Sequence, residues 1–324
     1  MNTRIVSKED VKIIKGKQYL PWFHNTSSLN HKVSLNKSSN VPQKVIVLDL
    51  DETLGSFADL YILWCGIRQI WPSCNDLSVL LELYPEFLRY GILTIMEYLY
   101  NSKINGLCDK ILVYTNNQCS VKWVKYICNY IEAKVRERFP FQTLALFDQH
   151  ICAFQINNKP IETCRTSHHK RLDDFFRCSK ISENADICFI DDTEFPYMKG
   201  SAVYYICPRA YIHTLRTKDI VRRMIHSTWA SKMSSQYKLL NSEDYWRNWF
   251  LIHRRRKIRR GNADVTIDLQ ISQKIIYHLT EFLEFQHKSA PRSPKRKTVR
   301  PPYSQLKQKH HHTRKKRTKR IQSV

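Results

Sequence analysis

Two aspartates, Asp49 and Asp51, follow the unbroken apolar run Val45 to Leu48. Such a run fits a short strand buried on both faces, as in a parallel sheet. Residues i and i+2 of an extended chain point the same way, so both carboxylates leave the strand's carboxyl end together. Open α/β sheets place their ligands there. Acids held so close repel unless they share a proton or a cation, which raises one pKa or recruits a hard metal such as Mg2+. One acid can then act as nucleophile and the other as general acid and base.

The pattern recurs downstream. Ile187 to Ile190 is a second apolar run that delivers two acids, Asp191 and Asp192. Between the two, Ile111 to Tyr114 reads as a buried strand ending in Thr115. Val121, Val124, Cys128, Ile131 and Val135 then fall at helical spacing, giving one apolar face. Asn116 or Asn117 is expected to cap that helix. A hydroxyl beside free amides at a helix N-terminus makes a phosphate seat.

In order and wording these segments resemble the motifs of haloacid dehalogenase superfamily phosphatases. Asp49-Leu-Asp-Glu-Thr-Leu54 is similar to their Asp-x-Asp-x-Thr motif. It is closest to the RNA polymerase II C-terminal-domain phosphatases and their small, NLI-interacting factor-like relatives. The resemblance covers about residues 44–215. It implies that Asp49 attacks phosphorus to form an aspartyl-phosphate, and that Asp51 protonates the leaving oxygen and then activates water. Thr115 would hold the phosphoryl group, with Thr53 and Asn116 as further substrate contacts. A lysine is implied as well. Lys170, ahead of Arg171-Leu-Asp-Asp-Phe-Phe176, is the first candidate and Lys159 its competitor. Mg2+ is implied on Asp49, the backbone carbonyl of Asp51, Asp191 and Asp192. The small relatives carry Asn where Asp192 stands, a change that adds charge but keeps an oxygen ligand.

Sixty-one residues separate Thr53 from Thr115. Tyr84 to Leu99 reads as a sheet-covering helix and its lead-in, which leaves Ser56 to Leu83, too little for a large lid. An open site admits a phosphate carried on something large. Phe57, Tyr61, Trp64 and Trp71 in this insert either pack on the core or, by the resemblance, hold an apolar residue beside a phosphoserine. The expected substrate is a phosphoserine or phosphothreonine protein. The alternatives are a nucleic-acid 3′-end phosphatase and a basic nucleic-acid-binding protein with a degenerate phosphatase core.

The elements around these motifs set the fold class. Residues 44–215 alternate strand and helix patterns, as in an α/β, doubly wound, mainly parallel sheet without a large cap. Residues 1–43 are polar and read as a loop or tether. Residues 216–287 form a helical extension, with patterns at Asp219–Met233, Asn241–Ile258 and Gln270–Phe285 and a strand-like run at Val265 to Leu269. Residues 288–324 hold fourteen Lys or Arg and no acid, out of a net charge of +24, and read as a disordered basic tail. Blocks such as Arg314 to Arg320 resemble a nuclear address or a polyanion contact. The expected compartment is intracellular, the nucleus ahead of the cytoplasm. The basic aromatic stretch Tyr245 to Arg260 reads as an amphipathic helix burying Trp246, Trp249 and Phe250, with nucleic acid open for its arginines. No apolar run is long enough to span a membrane. Ten cysteines without a Cys-x-x-Cys pair point to free thiols rather than a disulfide framework or zinc site.

Overall fold

The computed structural model describes residues 6–19, 42–233, 235–254 and 264–285, all within one compact unit, Met1–Phe285. The strands are β1 (Val11–Lys15), β2 (Lys44–Leu48), β3 (Lys110–Tyr114), β4 (Gln149–Ile151), β5 (Gln155–Ile156), β6 (Lys159–Pro160), β7 (Asp186–Ile190) and β8 (Val203–Pro208). The α-helices are α1 (Ala58–Ile70), α2 (Ser78–Leu83), α3 (Ile92–Ile104), α4 (Val121–Arg136), α5 (Leu172–Ser179), α6 (Thr217–Ile225), α7 (Thr228–Met233), α8 (Glu243–His253) and α9 (Val265–Glu284). Six strands form one sheet in the order β1-β8-β7-β2-β3-β4. Every pairing is parallel except that of β1 with β8. The architecture is α/β with a mostly parallel central sheet, compatible with a doubly wound fold.

Period-two alternation explains why the central strands are apolar throughout. Ile46, Leu48, Ile111, Val113, Cys188 and Ile190 face one side, in a core completed by α1, α3, α4, α8 and α9. Val45, Val47, Leu112, Tyr114, Ile187 and Phe189 face the other, against Phe175 of α5. A strand buried on both faces cannot alternate with polar residues without burying them. The chain leaves β2 for β3 on one side and later returns to β7 on the other. Strand order therefore reverses at β2, and a crevice opens at the carboxyl ends there.

Several elements differ from the sequence reading. Val11–Lys15, expected within a polar tether, pairs with β8 from Val11 opposite Pro208 to Lys15 opposite Tyr204; its two lysines mask a short β-branched run. Val265 to Leu269 is the start of α9 and not a strand. Asp264 Oδ1 accepts from Thr266 N at 2.9 Å, and Ile267, Ile271, Ile275, Leu279 and Phe282 are buried at helical spacing. The pattern over Asp219–Met233 is two helices, broken at Ser227, whose Oγ accepts from Ala230 N at 3.0 Å. Trp246 and Phe250 are buried and Trp249 is half-buried. Two of the ten cysteines are not free: Cys164 and Cys178 form a disulfide, with Cα atoms 5.2 Å apart, because α5 folds back beside the loop that precedes it. Among the described residues no helix is long and apolar enough to cross a membrane. The basic tail, most of the N-terminal tether and the run from Arg255 to Arg260 lie outside the described residues.

Candidate active site and metal centre

Three neighbouring strands deliver the site. β2 ends before Asp49 and Asp51, β7 before Asp191 and Asp192, and β3 before Thr115. Register holds the tips level: Leu48 pairs with Ile190 and with Val113. The backbone continues the pairing past the strand ends, since Asp49 N donates to Ile190 O at 2.9 Å and Thr115 N to Ile151 O at 2.9 Å. These residues line one open cleft of about 570 Å3 together with Glu52, Asn116, Asn117, Gln118, Cys119, Lys170, Thr193, Phe57 and Phe195.

Lys170 stands between the acid pairs. It is 1% exposed, and its Nζ donates to Asp49 Oδ1 and, at 2.6 Å, to Asp191 Oδ2. Tyr114, Phe189 and Phe195 rings surround the ammonium at 5.3–5.7 Å. Burial would pull its pKa down, but Asp191 and Asp49 outweigh that and hold it above the ordinary lysine value. Lys159, its competitor, is exposed on the β5–β6 hairpin and does not line the cleft.

One carboxylate oxygen from each of Asp49, Asp191 and Asp192 lies within 4.8 Å of the others. An all-oxygen, multiply anionic donor set suits a hard divalent cation and is a poor match for soft ions. The side chain of Asp51 is not among those three. Its Oδ2 accepts from Asn117 Nδ2 at 2.8 Å. Burial pushes the Asp51 carboxyl up to about 7, opposed by the Asn117 bond and aided by Asp49. Burial, then the charge of Asp49, lifts Asp192 to about 6. Burial also raises Asp191, against the pull of Lys170. Glu52 rises to about 8 through burial and the neighbouring Asp51, Asp192 and Asp49.

Two expected substrate contacts are engaged elsewhere. Thr53 is buried, its hydroxyl donating to Asp192 Oδ1 and accepting from Asp192 N, both at 3.0 Å. It braces Asp192, one of the three acids that could hold a metal ion, and does not line the cleft. Asn116 lines the cleft, but its Oδ1 accepts from Arg165 Nη2 at 2.7 Å. Neither Asn116 nor Asn117 caps α4. That cap is Ser120, whose Oγ accepts from Trp123 N at 3.0 Å, because the chain makes a further turn after Thr115. Asn117 N donates to Thr115 Oγ1 at 3.0 Å inside that turn.

Sequence reasoning missed Asn117 as the partner of Asp51 and the buried Arg89 that fixes the first acidic loop. Arg89 is 1% exposed; its Nε donates to Thr53 O at 2.6 Å and its Nη2 to Glu52 O at 2.6 Å. Glu52 has φ of 58°, a left-handed conformation that costs a non-glycine residue about 1 kcal/mol or more. The two Arg89 bonds hold the turn that needs it. Among the insert aromatics Phe57 alone lines the cleft. Trp64 is in the core, Tyr61 packs on Trp123 with centroids 5.0 Å apart, and Trp71 stacks on Tyr237. No protein-family model, curated protein or solved structure matches this chain.

Proposed function

We propose that the protein is a Mg2+-dependent phosphomonoesterase of the haloacid dehalogenase type that works through an aspartyl-phosphate on Asp49. The observation that carries this reading is the convergence of Asp49, Asp51, Lys170, Asp191 and Asp192 on one cleft from motifs scattered over more than a hundred residues. Lys170 occupies Oδ1 of Asp49 and leaves Oδ2 to attack phosphorus. The P–O bond to the leaving group breaks as the new one forms. Asp51, raised to about 7 by burial, carries the proton that the leaving oxygen takes. The resulting Asp51 carboxylate then accepts a proton from the water that hydrolyses the acyl phosphate and frees Asp49. Asn117 orients Asp51 throughout. The Lys170 ammonium offsets charge on the equatorial oxygens, and Thr115 lies at the same strand tip. Asp49, Asp191 and Asp192 would hold Mg2+, which supplies charge neutralisation for the phosphoryl group when bound.

The cleft is open, and Phe57 and Phe195 give it apolar walls. That favours a phosphate on a polymer side chain, and the proposed substrate is phosphoserine or phosphothreonine in a protein. Turnover of an aryl phosphate should require added Mg2+ and stop in excess EDTA. A parallel assay on a phosphopeptide and a 3′-phosphorylated oligonucleotide should favour the phosphopeptide. Preference for the oligonucleotide would reassign the substrate, and full turnover in EDTA would refute the metal assignment.

A further inference from the structure

Arg165 lies in the irregular stretch between β6 and α5, where no periodicity marks it. It is 2% exposed. Its Nη1 donates to Thr115 O at 3.0 Å and Cys152 O at 2.7 Å. Its Nη2 donates to Asn116 Oδ1 at 2.7 Å and His168 O at 3.2 Å. The guanidinium also lies over the Tyr114 ring at 4.7 Å. One side chain therefore ties the tip of β3, the end of β4 and the loop that carries Lys170.

The charge of Arg165 is not neutralised by a direct ion pair among the described residues. Its acidic neighbours are committed elsewhere. Asp174 takes Arg177 at 2.9 Å and the Thr166 amide at 3.0 Å, and Glu162 Oε1 accepts from Cys152 N at 3.0 Å. A buried cation bonded only to neutral oxygens is costly, and burial lowers its pKa accordingly. It satisfies the carbonyls of Thr115, Cys152 and His168, as a structural donor would, but a neutral donor could do that without a buried charge. Its position supplies a reason. In a trans peptide the C=O and the next N–H point in opposite directions. Arg165 holds the Thr115 carbonyl, so the Asn116 amide hydrogen points away from Arg165, and both residues line the cleft. The same fork fixes His168, two residues before Lys170. The neighbouring Cys164–Cys178 bridge anchors the backbone on which Arg165 stands.

We infer that Arg165 is a positioning residue for the phosphoryl oxyanion: it sets the Thr115–Asn116 turn and the Lys170 loop in one register and places behind them a positive charge that makes no direct ion pair. The inference rests on the phosphatase reading above.

The test compares wild type with Arg165→Met, Arg165→Lys, Asn116→Ala and the Arg165→Met/Asn116→Ala double variant. It measures kcat and KM on an aryl phosphate, inhibition by inorganic phosphate, and Tm. Arg165→Met should weaken phosphate inhibition about tenfold to a hundredfold, and raise KM in step, because two charge-assisted bonds to the seat are lost. Arg165→Lys keeps the charge without the fork and should fall between. In the Asn116→Ala background the effect of Arg165→Met should shrink, the signature of coupling. If Arg165→Met does not fold, Arg165→Lys and Asn116→Ala carry the same comparison. A lower Tm with unchanged phosphate inhibition would make Arg165 merely structural and overturn the inference. A wild type that neither hydrolyses the ester nor binds phosphate would instead remove the phosphatase reading and this inference together.

Discussion

Acids crowded at one cleft make the metal-free protein pH-sensitive in a direction that can be worked out. Asp51 is raised to about 7 and Glu52 to about 8, and Asp191 is raised as well, burial being the largest cause in each. Unfolded carboxyls titrate near pH 4. Between those limits the native state holds protons that the unfolded state has released. A raised folded pKa contributes stability that is complete below the unfolded pKa and lost as pH rises through the folded one. The informative window is pH 6.5–8. Below it, His150 and His278, whose pKa values burial lowers, oppose the trend by binding protons more readily when unfolded. Each proton retained only by the native state costs about 1.4 kcal/mol of stability per pH unit. The carboxyls titrate as one coupled cluster that is partly open to solvent, so we count one proton, about 2 kcal/mol across the window. At about 2–4 °C per kcal/mol for a chain of this size, Tm in EDTA should fall by roughly 4–8 °C from pH 6.5 to 8. Saturating Mg2+ should flatten that slope and raise Tm most at pH 8, because a divalent cation favours the ionised acids. Thermal denaturation followed by tryptophan fluorescence reads both effects. A metal-free Tm that is flat or rises across this window would refute the burial and charge assignments of the cleft.

Other perturbations separate the parts of the site. Lys170→Met should lower aryl phosphate kcat by about a hundredfold to a thousandfold, whereas Lys159→Met, at an exposed hairpin, should leave it within about twofold; equal losses would mean the lysine assignment is wrong. Asn117→Ala removes the bond that lowers the Asp51 pKa, so the limb of the pH–rate profile that reports the general acid should move up by about one pH unit; an unmoved limb would show that another group donates the proton. Deleting residues 288–324, which carry fourteen Lys or Arg, should leave aryl phosphate turnover within about twofold while weakening polyanion binding and reducing its salt dependence; loss of turnover would place part of the site in that segment.

The strand tips were legible because burial on both faces forces an apolar run and the cleft acids interrupt it. Val45–Leu48 before Asp49, Ile111–Tyr114 before Thr115 and Ile187–Ile190 before Asp191 all became neighbouring strands of one sheet. What was not legible depends on side chains reaching across sequence. Arg165 and Arg89 bond to backbone carbonyls 50 and 36 residues away, and a carbonyl leaves no trace in residue type. Thr53, a substrate contact by the resemblance alone, has its hydroxyl committed to Asp192, 139 residues away. β1 was hidden by lysines that solvate one edge of a strand while Val11 is buried. The Cys164–Cys178 bridge follows from the return of α5 against the preceding loop, which spacing alone does not encode.

The central claim is that Asp49 is phosphorylated during turnover. Acid quenching of the working enzyme, digestion and mass spectrometry should find one HPO3 increment on the peptide containing Asp49, removed by hydroxylamine as an acyl phosphate is. The adduct and steady-state turnover should both disappear in Asp49→Asn, whose near-isosteric amide is a poor nucleophile. Sustained turnover by Asp49→Asn, or an adduct mapped to any other residue, would contradict the account.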